Sequence, residues 1–223
     1  MLGGTDVVSL GVAQELWTPL FPQHAQSLPA PETVFDAKAM KMQAFTTQQA
    51  LCIAYTPSGP LLEYMPERVK TAPTTAQELM DWCRHSPNRF FHARPSNSGP
   101  ARTFLMGLPY ILGDSDPKDP MKGWDKTWAF LRELNAFIEH YPAGTVATMK
   151  ELGDGSRDMI TSTMGWDINP RMLGIVPKEA KVASLKGFHW IGDAHYVMIP
   201  KGISAERLAV LLDVTSHLLS KES

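Results

Sequence analysis

Ser162-Thr163-Met164-Gly165-Trp166-Asp167 is the stretch of this chain best equipped to meet a ligand. Two hydroxyls follow an apolar run, a glycine permits close backbone approach, and an indole and a carboxylate come next. In open α/β sheets, ligands gather outside the carboxyl ends of strands. Trp166 can stack on a cationic or aromatic group; it can equally pack half-buried against its own fold. Pro95-Ser96-Asn97-Ser98-Gly99-Pro100 offers related chemistry directly before an expected helix. The unpaired N–H groups and positive dipole of such a helix start can hold an anion. The plainer alternative is that Ser98 or Asn97 caps the helix. Ser9-Leu10-Gly11 is a third, weaker step of this type, because Ser and Gly are common in turns.

The histidines point to less. Asp193 and His195 would share one side of an extended segment, yet no neighbouring residue supplies the third partner that catalysis or metal binding needs. His92 sits in an apolar run. For both, a hydrogen-bonded structural histidine is the default. The chain carries no GxGxxG, Walker A, GxSxG, HExxH or EF-hand pattern, which removes the common nucleotide-binding and hydrolase signatures. Cys52 and Cys83 form no CxxC and have no third Cys near them, so no metal or cofactor is expected. Cys52 reads as a small buried hydrophobe.

The 223 residues allow one large domain or two small ones. A net charge of −2 and dispersed Lys and Arg give no field for nucleic acid or an anionic membrane. No run approaches the length of a membrane span. The opening MLGGTDVVSLG lacks the basic and apolar regions of an export signal.

Those polar steps must be carried by alternating strands and helices. Residues 5–10 are β-branched and bounded by glycines, which predicts a strand. A second strand region is expected over 42–55, and shorter ones at 89–93, 159–163, 181–185 and 196–199. Helices are expected at 71–85, 101–112, 124–140 and 145–152. The first would be capped by Thr74 or Thr75 with Glu78 at capping-box spacing. The third carries an apolar stripe of Trp124, Trp128, Leu131, Leu134 and Ile138. A final helix is capped by Ser204 and buries Leu208, Leu211, Leu212, Thr215, Leu218 and Leu219. The alternation predicts an α/β fold with a mixed, mainly parallel sheet and helices on both faces.

Four stretches, in order, resemble the extracellular solute-binding proteins of ABC importers, type II, in the branch that takes up polyamines, thiamine and iron. They are GGTDVVSLG, TAPTTAQELMDWCRHSPNRFFHARPSNSGPARTFLMGLPYIL, MKELGDGSRDMITSTMGWD and GFHWIGDAHYVMIPKG. The resemblance implies a periplasmic, non-enzymatic protein that captures a small solute between two lobes by hinge closure and meets a membrane permease. It implies that residues 61–186 form lobe two, and that 1–60 with 187–223 form part of lobe one, with hinge crossings near 54–59 and 187–191. The cleft residues it implies are Ser9, Gly11, Ser96, Asn97, Ser98, Thr163, Trp166 and Asp193. Ser and Asn would give hydrogen bonds, Trp166 a stacking face, and Asp193 an acceptor for a cation. Two alternatives stand beside it: a partial lobe that binds no ligand and associates with itself, and a hydrolytic enzyme using Asp193 and His195.

Overall fold

The computed structural model describes residues 1–220; the last three residues of the expected lobe-one segment lie outside them. In chain order the elements are β1 (Leu2–Gly4), α1 (Thr5–Ala13), α2 (Pro31–Val34), α3 (Ala37–Ala44), β2 (Ala50–Ser58), β3 (Leu61–Tyr64), α4 (Ala76–His85) and β4 (Phe90–Phe91). There follow α5 (Gly99–Leu112), α6 (Asp125–Leu134), α7 (Thr145–Gly153), β5 (Met159–Ser162), α8 (Ile168–Met172), β6 (Lys181–Ser184), β7 (Ile191–Met198) and α9 (Ala205–Leu218). They divide into two compact units: Met1–Pro57 with Gly192–Ser223, and Ser58–Ile191.

The first unit is built on a three-stranded sheet in the order β1-β7-β2. β1 runs antiparallel to β7, with Leu2 opposite Val197 and Gly4 opposite His195. Val8, Trp17, Met42, Cys52, Tyr196 and Met198 form one apolar cluster. Leu20, Leu28, Leu51, Ile199 and Leu212 form another. The second unit holds a four-stranded sheet, β4-β5-β3-β6. Its core joins Leu62, Leu79, Phe90, Phe91, Phe104, Leu108 and Ile160 among others. The two cysteines are free and buried. Burial pushes the Cys83 thiol up to about 12, so it stays protonated and inert at neutral pH.

The α/β architecture is as expected, with mixed strand directions, but one detail of the sheet differs. Of the strand pairs with defined register, β1/β7, β3/β5 and β3/β6 are antiparallel, and β4/β5 is parallel. Alternation suggests crossover helices, whereas β2 runs into β3 through only Gly59-Pro60, and β6 reaches β7 through a short helix-free segment.

Two segments expected as strands are helices. Residues 5–10 lie in α1, and the strand is the preceding Leu2–Gly4. Val8 and Gly11 are buried and Val12 packs beside them, a helical spacing. The β-branched residues of α1 give up a few tenths of a kcal/mol each in propensity. Burying Val8 returns more, about 1.5 kcal/mol or above. Residues 42–44 belong to α3, where the Asp36 carboxylate accepts the N–H groups of Lys38 and Ala39 at 2.9 and 2.8 Å. That cap starts a helix ahead of the strand. Two further stripe positions depart from expectation: Trp128 and Leu218 are exposed.

Other signals appear as written. Thr75 Oγ1 accepts the Glu78 N–H at 3.1 Å, and Glu78 Oε2 accepts from Thr74 N–H at 2.7 Å. The reciprocal arm thus reaches Thr74, one residue earlier than in a standard capping box. Thr75→Ala is expected to destabilise the chain by about 1 kcal/mol, read as a lower urea midpoint at unchanged slope.

Candidate functional site

The loop after β5 is held from below by buried charge. Thr163 is buried, and its carbonyl accepts the Trp166 N–H at 3.3 Å. Gly165 makes the turn at φ +71, a conformation that other residues adopt at a cost. The turn leaves Trp166 47% exposed. Asp167 follows as the N-cap of α8 and is buried. Its carboxylate accepts from Arg171 Nε, one helical turn on.

Arg171 reaches further. Its Nη2 donates to Glu63 Oε1 at 2.8 Å, and its Nη1 donates to the carbonyls of Pro177, Lys178 and Ala180 at 3.3, 3.2 and 2.9 Å. Glu63 lies on the inner strand β3 and is 0% exposed. Its Oε2 and the nearby Ser162 Oγ are buried with no hydrogen-bond partner. Burial, then the adjacent Asp167 charge, raise the Glu63 carboxyl to about 7 against the opposing pull of Arg171. This Glu63–Asp167–Arg171 trio was not foreseen from sequence. Its traces were a lone acid inside the apolar Leu61-Leu62-Glu63-Tyr64 and the four-residue spacing of Asp167 and Arg171.

At the start of α5, the capping alternative accounts for the hydroxyl. Ser98 is buried, accepts the Ala101 N–H at 3.3 Å and bonds Thr145 Oγ1 at 2.8 Å. The Arg102 N–H goes to the Ser98 carbonyl, and Pro100 has no N–H. The donors of the first turn are therefore largely committed. Ser96 and Asn97 stand exposed on the single 3-10 turn Pro95–Asn97. His92, one strand end away, is buried, with its ring tilted against that of Tyr141 at 4.9 Å. Its Nδ1 bonds the Ala93 carbonyl, and burial lowers its pKa. It behaves as the structural histidine expected.

The same unit carries aromatic residues that sequence reasoning passed over. Trp190 is exposed and meets Phe188 edge-on at 4.9 Å; His189 stacks on Tyr110 at 4.7 Å. The only prior signal was the Phe188-His189-Trp190 run itself. Phe188 packs where a side chain at Gly59 would sit, its ring 2.2 Å from that position.

In the first unit, Ser9 is exposed on α1, while Gly11 is buried against the Trp17 ring. Asp193, on β7, accepts from Thr5 Oγ1 at 3.1 Å and from its own neighbour Ala194 N–H. Thr5 opens α1, so Asp193 ties that helix start to the sheet. Ser9, Gly11 and Asp193 thus belong to the first unit, and Ser96, Asn97, Ser98, Thr163 and Trp166 to the second. Among the described residues no group of three or more His, Cys, Asp or Glu is arranged to hold a metal ion. No helix there is long and apolar enough to cross a membrane.

Similar structures share this fold at low identity. The spermidine/putrescine ABC transporter substrate-binding protein PotD from Streptococcus pneumoniae superposes with a TM-score of 0.66 at 15% identity, over 99% of this chain and 62% of its own. A periplasmic thiamin binding protein gives 0.64 at 13%, over 98% and 59%. Iron-bound HitA from Pseudomonas aeruginosa gives 0.54 at 17%, over 98% and 63%. The chain thus spans about three fifths of the length of these structures. A search of curated proteins finds no match. A family profile described as bacterial extracellular solute-binding protein matches residues 9–223. The chain belongs to that family, with a type II periplasmic-binding-protein-like fold.

Proposed function

We propose that the protein is the solute-binding component of an ABC importer and takes a small organic cation as its solute. The observation that carries the choice of a cation is Trp166, an indole that stays 47% exposed on the loop after β5. Indole faces attract cations through the ring quadrupole. An anion would want free helix-start donors, and at α5 Ser98 and Pro100 leave few. Family membership supports solute capture as the task.

In this reading, Thr163 and Trp166 form the receiving loop, with Ser96 and Asn97 adding polar contacts. Ser9 and Asp193 contribute from the first unit, and Gly11 and Ser98 act through packing and capping. Closure is a hinge motion about the chain crossings at 57–58 and 191–192, and the closed form is the one the membrane permease accepts in the periplasm. No residue acts on the solute chemically.

Trp166→Ala is expected to weaken binding of the preferred cation by about 1–1.5 kcal/mol, close to tenfold, with stability little changed because the ring is half exposed. Calorimetric titration of both proteins with spermidine and thiamine checks this. Equal affinities would remove Trp166 from the site.

A further inference from the structure

We infer that Glu63, Asp167 and Arg171 form a proton-sensitive brace for the 163–166 loop, gripping it when Glu63 is protonated and loosening it when Glu63 is charged. The inference begins with a count of charges. One guanidinium serves two carboxylates, one fully buried and the other nearly so. With Glu63 ionised, the trio carries a net negative charge inside the fold. With Glu63 protonated, Arg171 and Asp167 balance. An uncompensated buried charge is the costlier arrangement.

The proton also has somewhere to go. Glu63 Oε2 and the buried Ser162 Oγ beside it make no well-formed hydrogen bond, although the Ser162 hydroxyl lies near enough to favour the ionised carboxylate somewhat. A protonated Oε2 becomes a donor, with Ser162 Oγ and the Asp167 carboxylate as acceptors. The groups acting on Glu63 come from each neighbouring element. β5 brings Ser162, β6 places the uncharged Val182 opposite in register, and α8 with its cap brings Arg171 and Asp167. Burial and Asp167 oppose ionisation of Glu63, Arg171 and Ser162 favour it, and the first pair prevails, which sets the transition near neutrality.

The connection to the loop is short. Asp167 directly follows Trp166, and α8 is only five residues long. A helix that short does not hold itself; Arg171 holds it, through Glu63 on one side and three carbonyls of 177–180 on the other. Ionised Glu63 holds Arg171 more strongly but stands buried and opposed by Asp167; opening the segment that carries Thr163 and Trp166 relieves that cost, so the segment loosens as Glu63 charges. The consequence for solute capture, tighter binding at acidic than at alkaline pH, rests on the function proposed above; the brace itself does not.

Hydrogen exchange of residues 163–180, corrected for the intrinsic rate at each pH, tests the brace without any solute. In the wild type the opening equilibrium is expected to rise by up to roughly tenfold per pH unit between pH 5 and 7, then level off. Glu63→Gln, which keeps the neutral shape, is expected to give a flat profile. Parallel profiles in the two proteins would overturn the brace. A wild-type carbon NMR titration of the Glu63 carboxyl covers the case of a variant that does not fold. A midpoint about 7 supports the brace, and one in the ordinary glutamate range overturns it. If exchange responds as expected while spermidine and thiamine fail to bind, the brace stands and the solute reading falls.

Discussion

Arg171→Ala is expected to destabilise the protein by about 3–5 kcal/mol at pH 8, and by clearly less at pH 5. Removing one partner of a buried ion pair leaves the other charge uncompensated, and that loss is of this size. Here two carboxylates lose their cation together, and the 177–180 carbonyls lose a donor. Arg171 itself is about one-fifth exposed, so water offsets part of the loss. The pH dependence follows from Glu63. A carboxyl raised to about 7 in the fold from its ordinary value of 4.5 binds a proton more readily folded than unfolded. Its favourable contribution is full below the unfolded value and is lost as pH rises through the folded one, at ~1.4 kcal/mol per pH unit. At pH 5 the variant can protonate Glu63 and keep only one uncompensated carboxylate. Urea denaturation at the two pH values reads the difference. Equal losses at both would mean that Glu63 does not titrate as the geometry requires.

Gly11→Ala comes next, at about 2–3 kcal/mol. A Cβ at Gly11 would lie 2.0 Å from Trp17 Cε2, well inside contact distance. The Trp17 ring is buried and anchored, with Nε1 donating to the Val8 carbonyl at 3.2 Å. It cannot swing aside without breaking that bond and disturbing the Val8–Tyr196 cluster. Replacing a helical glycine by alanine normally stabilises by 0.5–1 kcal/mol. Overpacking of this severity costs about 1–3 kcal/mol or more, and here it wins. A lower thermal midpoint checks the sign. A midpoint equal to or above the wild type would show that α1 moves off the ring freely.

Gly11 also illustrates where sequence reading stopped. In SLG it resembles a turn glycine that admits a ligand, whereas its role in the fold is to admit Trp17. The difference lies in a contact six residues away that no local pattern encodes. The same limit explains α1. TDVVSL has the composition of a strand, and what makes it a helix is that Leu2–Gly4 pairs with β7 nearly two hundred residues later. Features written locally were legible: Thr75 at α4, Ser98 at α5 and Ser204 at α9 each cap the helix they precede.

The loop at 163–167 could be found because strand, hydroxyls, glycine, indole and acid follow one another in the chain. Its support could not, since Glu63 and Arg171 stand 108 positions apart. A single acid in an apolar run is a signal that something pairs with it, but sequence does not say what. The half-exposed Trp166 and the committed Ser98 hydroxyl are likewise facts of packing. At Ser98 they bear out capping, the plainer alternative.

The central claim is that this chain captures a small cationic solute. Thermal unfolding of the wild-type protein with spermidine, putrescine, thiamine, ferric citrate, sulfate or phosphate added separately tests it most directly. A solute at a hundred times its dissociation constant stabilises by about 2.7 kcal/mol, which for a chain of this size raises the midpoint by roughly 5–10 °C. The expected result is such a rise with at least one organic cation, reduced in Trp166→Ala, and none with sulfate or phosphate. An unchanged midpoint with every cation, or a rise with the anions alone, would contradict it.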